Sequence, residues 1–524
     1  MKIKKFAALL LAAVMCFALF APAASAAEIA NRPADPVIHV HGFVAGSLYY
    51  NHEDVENRTQ LWPPTADAIM KEVPGAIPAL TDIALGQRTE ADWERFTDKV
   101  AEIAKRLVGD AFGDNNGDML EGTGAASEYP SQEEVLRRYQ NAQDITFRYD
   151  WRLSPLELAE QLHDFIEYVK SATGRDKVNI TAHSYGSCVT ITYVALYGLD
   201  SISGVVLHAP AFLGASYDGE LMLGQVAFNG KGIANVMKDL IMRGEDNEDA
   251  WRNTITALEA TGVFDLSEVV TDYIVDEALD MLTEKVLVDF FAKWPAIWAM
   301  VPDEMYDDAR AYIFDEVIAA RGEDVSGLLE KLDAYDRLVR DHRQELLDLI
   351  ADNVNFGVVA KYNVQKVPIT ANSTSLSDNI IDTKAASLGA TCADYDSTLP
   401  KDYKQAKYPE KNYISPDRMI DASTCMYPDR TWFIKGDQHP NESDDTYELF
   451  LRILSNDGYT VFTDPQYPQF LLYDAATDSL SPLTAENATN KSTTGFAKLI
   501  EFFKEFFKFL IEFVGRFINK PALF

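Results

Sequence analysis

The stretch from Asp144 to His208 alternates between β-like runs and helical spacing, and no other feature of the sequence constrains the fold as tightly. The β-like run Asp144 to Trp151 leads into Ser154-Pro155-Leu156-Glu157. There a serine can cap a helix, a glutamate three positions on can return the bond, and proline occupies the first helical position. Leu158, Leu162, Phe165, Ile166 and Val169 follow at helical spacing until Gly174. Val178 to Ala182 is again strand-like, a second helix is expected through Tyr197, and Val205 to His208 is a further strand. Such alternation predicts an α/β fold with a mostly parallel sheet and flanking helices. An earlier buried strand is expected at Pro36 to Val40, stopped by His41-Gly42.

From Gly214 to Asn355 the periodicity becomes helical throughout, including Leu258 to Leu287 and Ser326 to Ile350, and strand-like runs resume at Phe356 to Tyr362 and Thr431 to Gly436. The expected organisation is a first core part over 28–215, an inserted helical cap over 216–355, a second core part over 356–475, and a linker over 476–495. Residues 372–430 read as polar and loop-like. Asp114-Asn115-Asn116-Gly117-Asp118 has Met119 where a calcium loop needs glycine, so a solvated turn is expected there. No metal or cofactor is expected.

Residues 1–27 carry Lys2, Lys4 and Lys5, the apolar run Phe6 to Phe20, and Ala24-Ser25-Ala26, the pattern of a secretory leader. A secreted, extracellular chain is therefore expected, associated with a membrane surface if its tail engages one. Lys+Arg 47 against Asp+Glu 81 gives a net charge of −34, which speaks against nucleic acid as a partner. Beyond the leader only Cys188, Cys392 and Cys425 remain, and both a Cys392–Cys425 bridge and three free thiols stay open. In the tail, Lys498, Glu501, Lys504, Glu505, Lys508, Glu512 and Arg516 share one helical face amid Phe, Leu, Ile and Val. An amphipathic helix over 496–518 is expected to meet a membrane interface or a second copy of the chain, in preference to docking on the cap.

Ala182-His183-Ser184-Tyr185-Gly186 lies between a strand and a helix start, the setting of a G-x-S-x-G nucleophile elbow. A serine hydroxyl needs a base, and with the order Ser, acid, His the candidates are His208, His342 and His439. His208 falls in a strand and His342 on a charged helix, whereas His439 follows the last strand in a loop, so Ser184 and His439 are the expected pair. Asp437 is too close to His439 in sequence to aim at its far nitrogen, which leaves Asp378, Asp382, Asp394, Asp396, Asp402, Asp417, Asp421 and Asp429 as candidate acids. The segment Pro416-Asp417-Arg418-Met419-Ile420-Asp421 favours Asp417, with Asp421 second. The oxyanion of an acyl-transfer intermediate would meet the backbone N–H groups of Phe43 and Tyr185.

Together, His41-Gly42-Phe43, Gly46-Ser47-Leu48, Tyr149-Asp150-Trp151-Arg152 and the elbow resemble the lecithin:cholesterol acyltransferase and lysosomal phospholipase branch of the α/β-hydrolases. Trp294 to Pro302 is similar to a Trp-Leu-Pro segment of that family, and the likeness is strongest over 35–215. Two positions depart from the family pattern: His41 stands before Gly42 where proline is usual, and Arg418 follows Asp417 where glycine is usual. The resemblance implies an α/β-hydrolase fold and acyl transfer from a lipid or other apolar ester through an acyl-Ser184 intermediate. Water as acceptor makes the chain an esterase, lipase or phospholipase. An alcohol acceptor makes it a lipid O-acyltransferase, and a binding protein that keeps the fold without activity is the third alternative. Leu287, Phe290, Phe291, Trp294, Ile297 and Trp298 are the cap residues expected to line an acyl site.

Overall fold

The computed structural model describes residues 33–65, 90–225, 291–366, 370–395 and 397–488, with a few isolated positions between them. The leader, the cap helix at 258–287, Leu287, Phe290, Asp396 and the tail helix at 496–518 lie outside the described residues. Eight strands form the main sheet: β1 Val37–Val40, β2 Ile145–Phe147, β3 Val178–His183, β4 Ile202–His208, β5 Asn355–Tyr362, β6 Thr431–Lys435, β7 Phe470–Asp474 and β8 Ser479–Pro482. Their order is β8-β7-β6-β5-β4-β3-β1-β2, parallel throughout except for the antiparallel edge pair β7–β8.

Both faces of this sheet are covered, so its central strands bury successive side chains on opposite sides. Val205 and Leu207 of β4 pack in one core, with Val358 and Ala360 of β5 and Phe433 of β6. The intervening Val206, Val359, Trp432 and Ile434 pack in a second core with Leu449, Phe450, Ile453 and Leu454. This accounts for the continuous apolar runs in the sequence. Helix α1, Pro155–Thr173, starts as expected: the Ser154 side chain accepts from Leu156 N, Glu157 returns a bond to Ser154 N, and Gly174 ends the helix in the left-handed region. Helix α2, Gly186–Tyr197, is buried from Gly186 to Val194 on every face, which explains its lack of a polar stripe.

Strands β4 and β5 are neighbours in the sheet although residues 209–354 intervene, and the described part of that intervening chain is helical. It includes Pro295–Ala299, Asp303–Arg310, Ser326–Leu338 and Arg343–Asn353. A small antiparallel sheet of Leu48–Tyr50, Thr59–Trp62 and Thr123–Ala125 lies beyond β1 in the chain. The segment expected as linker contains β8, which hydrogen-bonds along β7 from Ser479 to Pro482. Being short, polar and at the sheet edge, it has no apolar alternation to reveal it, and Pro482, which lacks an N–H, is tolerated there because an edge strand has only one partner. Cys188, Cys392 and Cys425 are all free thiols. No described helix is long and apolar enough to cross a membrane.

Candidate active site

In a parallel sheet every strand delivers its following loop to the same edge, and that edge is where open α/β sheets place their ligands. Three loops meet there: the one after β1 carrying Gly42 and Phe43, the turn after β3 carrying Ser184, and the one after β6 carrying His439. Ser184 sits between β3 and α2 with φ +53°, a left-handed conformation that a side chain adopts only at a cost of about 1–3 kcal/mol. Its backbone is fixed from both sides. Ser184 N–H donates to His208 O at 3.0 Å, and Ser184 O accepts from Ala211 N–H and Ser187 N–H at 3.1 and 3.0 Å. Glycine is required behind it, because a Cβ on Gly186 would lie 2.2 Å from Val40 O. Gly42 is as close in front: its Cβ would lie 2.8 Å from Ser184 Cβ and 3.2 Å from Ser184 Oγ.

The loop after β1 is held at both ends by the Tyr149-Asp150-Trp151-Arg152 segment. Tyr149 stacks on the His41 ring at 4.0 Å and its hydroxyl donates to His41 O. The indole N–H of Trp151 donates to Gly46 O at 2.9 Å. Arg152, fully buried, grips Asp150 with a bidentate fork and also donates to Ala111 O. Between the two anchored ends Val44 has φ +58°, strained for a β-branched residue. Phe43 stands edge-on to Trp151, Tyr185 and Trp294 at 4.8, 6.1 and 6.0 Å. Phe43 thus follows Gly42, which abuts Ser184, and Tyr185 follows Ser184 as the N-cap residue of α2.

His439 is 2% exposed and its Nδ1 lies 2.7 Å from Asp378 Oδ2, while its backbone N–H donates to Asp378 O at 2.9 Å. The other carboxylate oxygen of Asp378 accepts from Ile380 N–H and Ile381 N–H at 3.0 and 2.7 Å. The acid is therefore aimed by its own Asx turn, and it fixes which imidazole nitrogen faces away from it. The His183 ring packs 4.6 Å from the His439 ring, and His183 Nε2 lies 3.0 Å from His439 O, so the histidine loop rests on the residue preceding Ser184.

Asp378 takes the place expected for Asp417. Asp417 is committed elsewhere: its Oδ2 lies 2.9 Å from Lys435 Nζ and accepts from the Tyr362 hydroxyl, and its Oδ1 accepts from Ser415 Oγ. Asp421 accepts from Ser423 N–H, Ala406 N–H and the Tyr403 hydroxyl, and so ties the 403–406 segment to its own. The rejected histidines are accounted for as well. His342 is on the surface near Glu345, and His208 is buried in β4. Of the expected acyl-site residues, Trp294, Ile297 and Trp298 are buried in the core, and Phe291 packs edge-on to Trp294. Among the described residues no group of three or more His, Cys, Asp or Glu is arranged to hold a metal ion.

Burial pushes His183 and His208 well below the usual histidine range, and holds His41 at about 4. Both ring nitrogens of His208 lack a hydrogen-bond partner, and Glu442, 3.6 Å away and itself pushed upward by burial, does not offset the desolvation. A neutral folded His208 costs stability wherever the unfolded chain takes up a proton, which begins as pH falls below about 6.5. From pH 8 to pH 5 the wild type should therefore lose about 2 kcal/mol more than His208→Phe, read from urea unfolding at the two pH values. Equal losses would show that His208 is charged in the folded protein.

No family model matches the sequence and no curated protein matches it. A solved structure described as "The crystal structure of Tle4-Tli4 complex" is similar at 17% identity, over 36% of this chain and 48% of that one, with a TM-score of 0.20. The match thus spans about half of that chain, and a likeness this slight carries no weight for fold or function.

Proposed function

We propose that this chain is a serine ester hydrolase with an α/β-hydrolase core, acting on lipid or other apolar acyl esters through an acyl-Ser184 intermediate. The observation that carries the reading is the pairing of His439 with Asp378 at the sheet edge where Ser184 is held on a strained turn. In this mechanism His439 takes the proton of Ser184 Oγ as the hydroxyl attacks the ester carbonyl, and Asp378 keeps the ring oriented and stabilises the imidazolium. The N–H groups of Phe43 and Tyr185 receive the oxyanion. His439 then returns the proton to the departing alkoxide, and water repeats the sequence to release the acid. The aromatic group Phe43, Phe291 and Trp294 beside the oxyanion loop supports an apolar acyl chain. The grip of Tyr149 and Trp151 on that loop supports the resemblance to the lecithin:cholesterol acyltransferase branch.

A fluorophosphonate probe tests the reading. The wild type should be labelled stoichiometrically and Ser184→Ala should not be labelled at all, with hydrolysis of a chain-length series of simple esters lost in parallel. Absence of labelling in folded wild type would favour the binding-protein alternative. Added long-chain alcohol separates the two enzymatic alternatives: an O-acyltransferase diverts acyl groups to the alcohol, while a hydrolase releases fatty acid at an unchanged rate.

A further inference from the structure

Lys361 lies in β5, in register with Ile434 of β6, directly beside the point where the chain leaves β6 for His439. It is fully buried, as is Asp437, and the two charges are 3.0 Å apart. A buried pair of this kind is ordinarily poor value for stability, because desolvation cancels most of the attraction. Asp437 is the charge partner of this ammonium, and Asn441 lies against the same carboxylate. The ammonium of Lys361 also reaches backbone carbonyls: Gln438 O at 2.9 Å, His439 O at 3.3 Å and Asn441 O. These carbonyls belong to one turn and bracket the histidine. His439 O is also approached by His183 Nε2 at 3.0 Å, from the residue next to Ser184.

On the reading of Ser184, His439 and Asp378 as a triad, we propose that Lys361 is a positioning residue: its ammonium draws the Gln438–Asn441 turn around itself and thereby sets the His439 ring between Asp378 and Ser184. Without that centre the carbonyls of the turn would have to find other donors, and the turn would relax. His439 would keep its identity and its partner while losing the fixed orientation that acyl transfer requires. Asp437 offsets the buried charge of that centre.

The test uses the full mature chain and a variant that removes both charges, Lys361→Met/Asp437→Asn, because Lys361→Met alone would strand a buried carboxylate. The double variant should fold with an unchanged circular dichroism spectrum, lose roughly 10- to 100-fold in kcat with KM within twofold, and label at Ser184 more slowly by the same factor. The far-downfield proton resonance of the His439–Asp378 hydrogen bond should broaden or vanish. A folded double variant with wild-type kcat and an intact resonance would overturn the proposal and leave Lys361 as the charge partner of Asp437 only. If the methionine pair does not fold, Lys361→Gln/Asp437→Asn retains two N–H donors and should lose about three- to tenfold in kcat, and wild-type kcat there overturns the proposal equally. Failure of the triad reading is distinguishable, since it would appear as unlabelled Ser184 in the wild type.

Discussion

Asp378→Asn is expected to lower kcat/KM for a simple ester by about a thousand- to ten-thousand-fold, whereas Asp417→Asn should leave kcat/KM within about threefold. The asymmetry follows from what each carboxylate touches. Asparagine at 378 can still be held by Ile380 N–H and Ile381 N–H, so the loop survives, but its amide would favour the wrong imidazole tautomer at His439. Asp417 faces Lys435, of which 6% is exposed, and loss of the charge there should lower stability by about 3 kcal/mol through an unpaired buried ammonium. Steady-state kinetics and urea unfolding on the two variants should therefore separate, one losing turnover and the other losing stability. Loss of turnover in Asp417→Asn with Asp378→Asn unaffected would return the acid to the loop that the sequence favours.

That contrast also shows where the sequence stops being informative. Ser184 and the helix after it are local features, a β-branched run, small residues and a helix start within a dozen positions, so they are legible without tertiary knowledge. His439 follows from chain order and from the strand before it. The acid depends on which loop folds back beside β6, and eight aspartates lie between β5 and β6 with equal chemical credentials. Two signals could have selected Asp378. It is the first aspartate after β5, the strand adjoining β6, and it is followed by Asn379-Ile380-Ile381, a sequence able to close an Asx turn with apolar residues packed beneath it. The spacing around Asp417 instead marks a loop that exists to satisfy Lys435 and Tyr362. Strand β8 was hidden for the opposite reason, since an edge strand with one partner needs no hydrophobic pattern.

Glycine substitutions along the elbow should divide activity from folding. Gly42→Ala places a methyl group 2.8 Å from Ser184 Cβ, 3.0 Å from His183 Nδ1 and 3.2 Å from Ser184 Oγ. Gly42 does not have a positive φ, so alanine fits its backbone, and the crowding falls on Ser184 Cβ, which the fixed turn holds in place, and on the His183 ring and Ser184 hydroxyl beside it. The displaced atoms are those of Ser184, the proposed nucleophile, so the variant should fold and lose about 100-fold or more in kcat. Gly186→Ala puts its Cβ 2.2 Å from Val40 O and 2.6 Å from His41 O, backbone atoms of β1 and of the oxyanion loop entrance. Neither can yield without moving β1 against β3, so a loss of about 3 kcal/mol or more in stability is expected before any question of rate arises. Gly46→Ala serves as the control, with nothing within 4 Å of its Cβ, and both stability and labelling should match the wild type. Thermal melts beside phosphonate labelling would read all three. A Gly42→Ala variant that labels at the wild-type rate would mean that the loop after β1 stands away from Ser184, and with it the oxyanion role of Phe43 would fall.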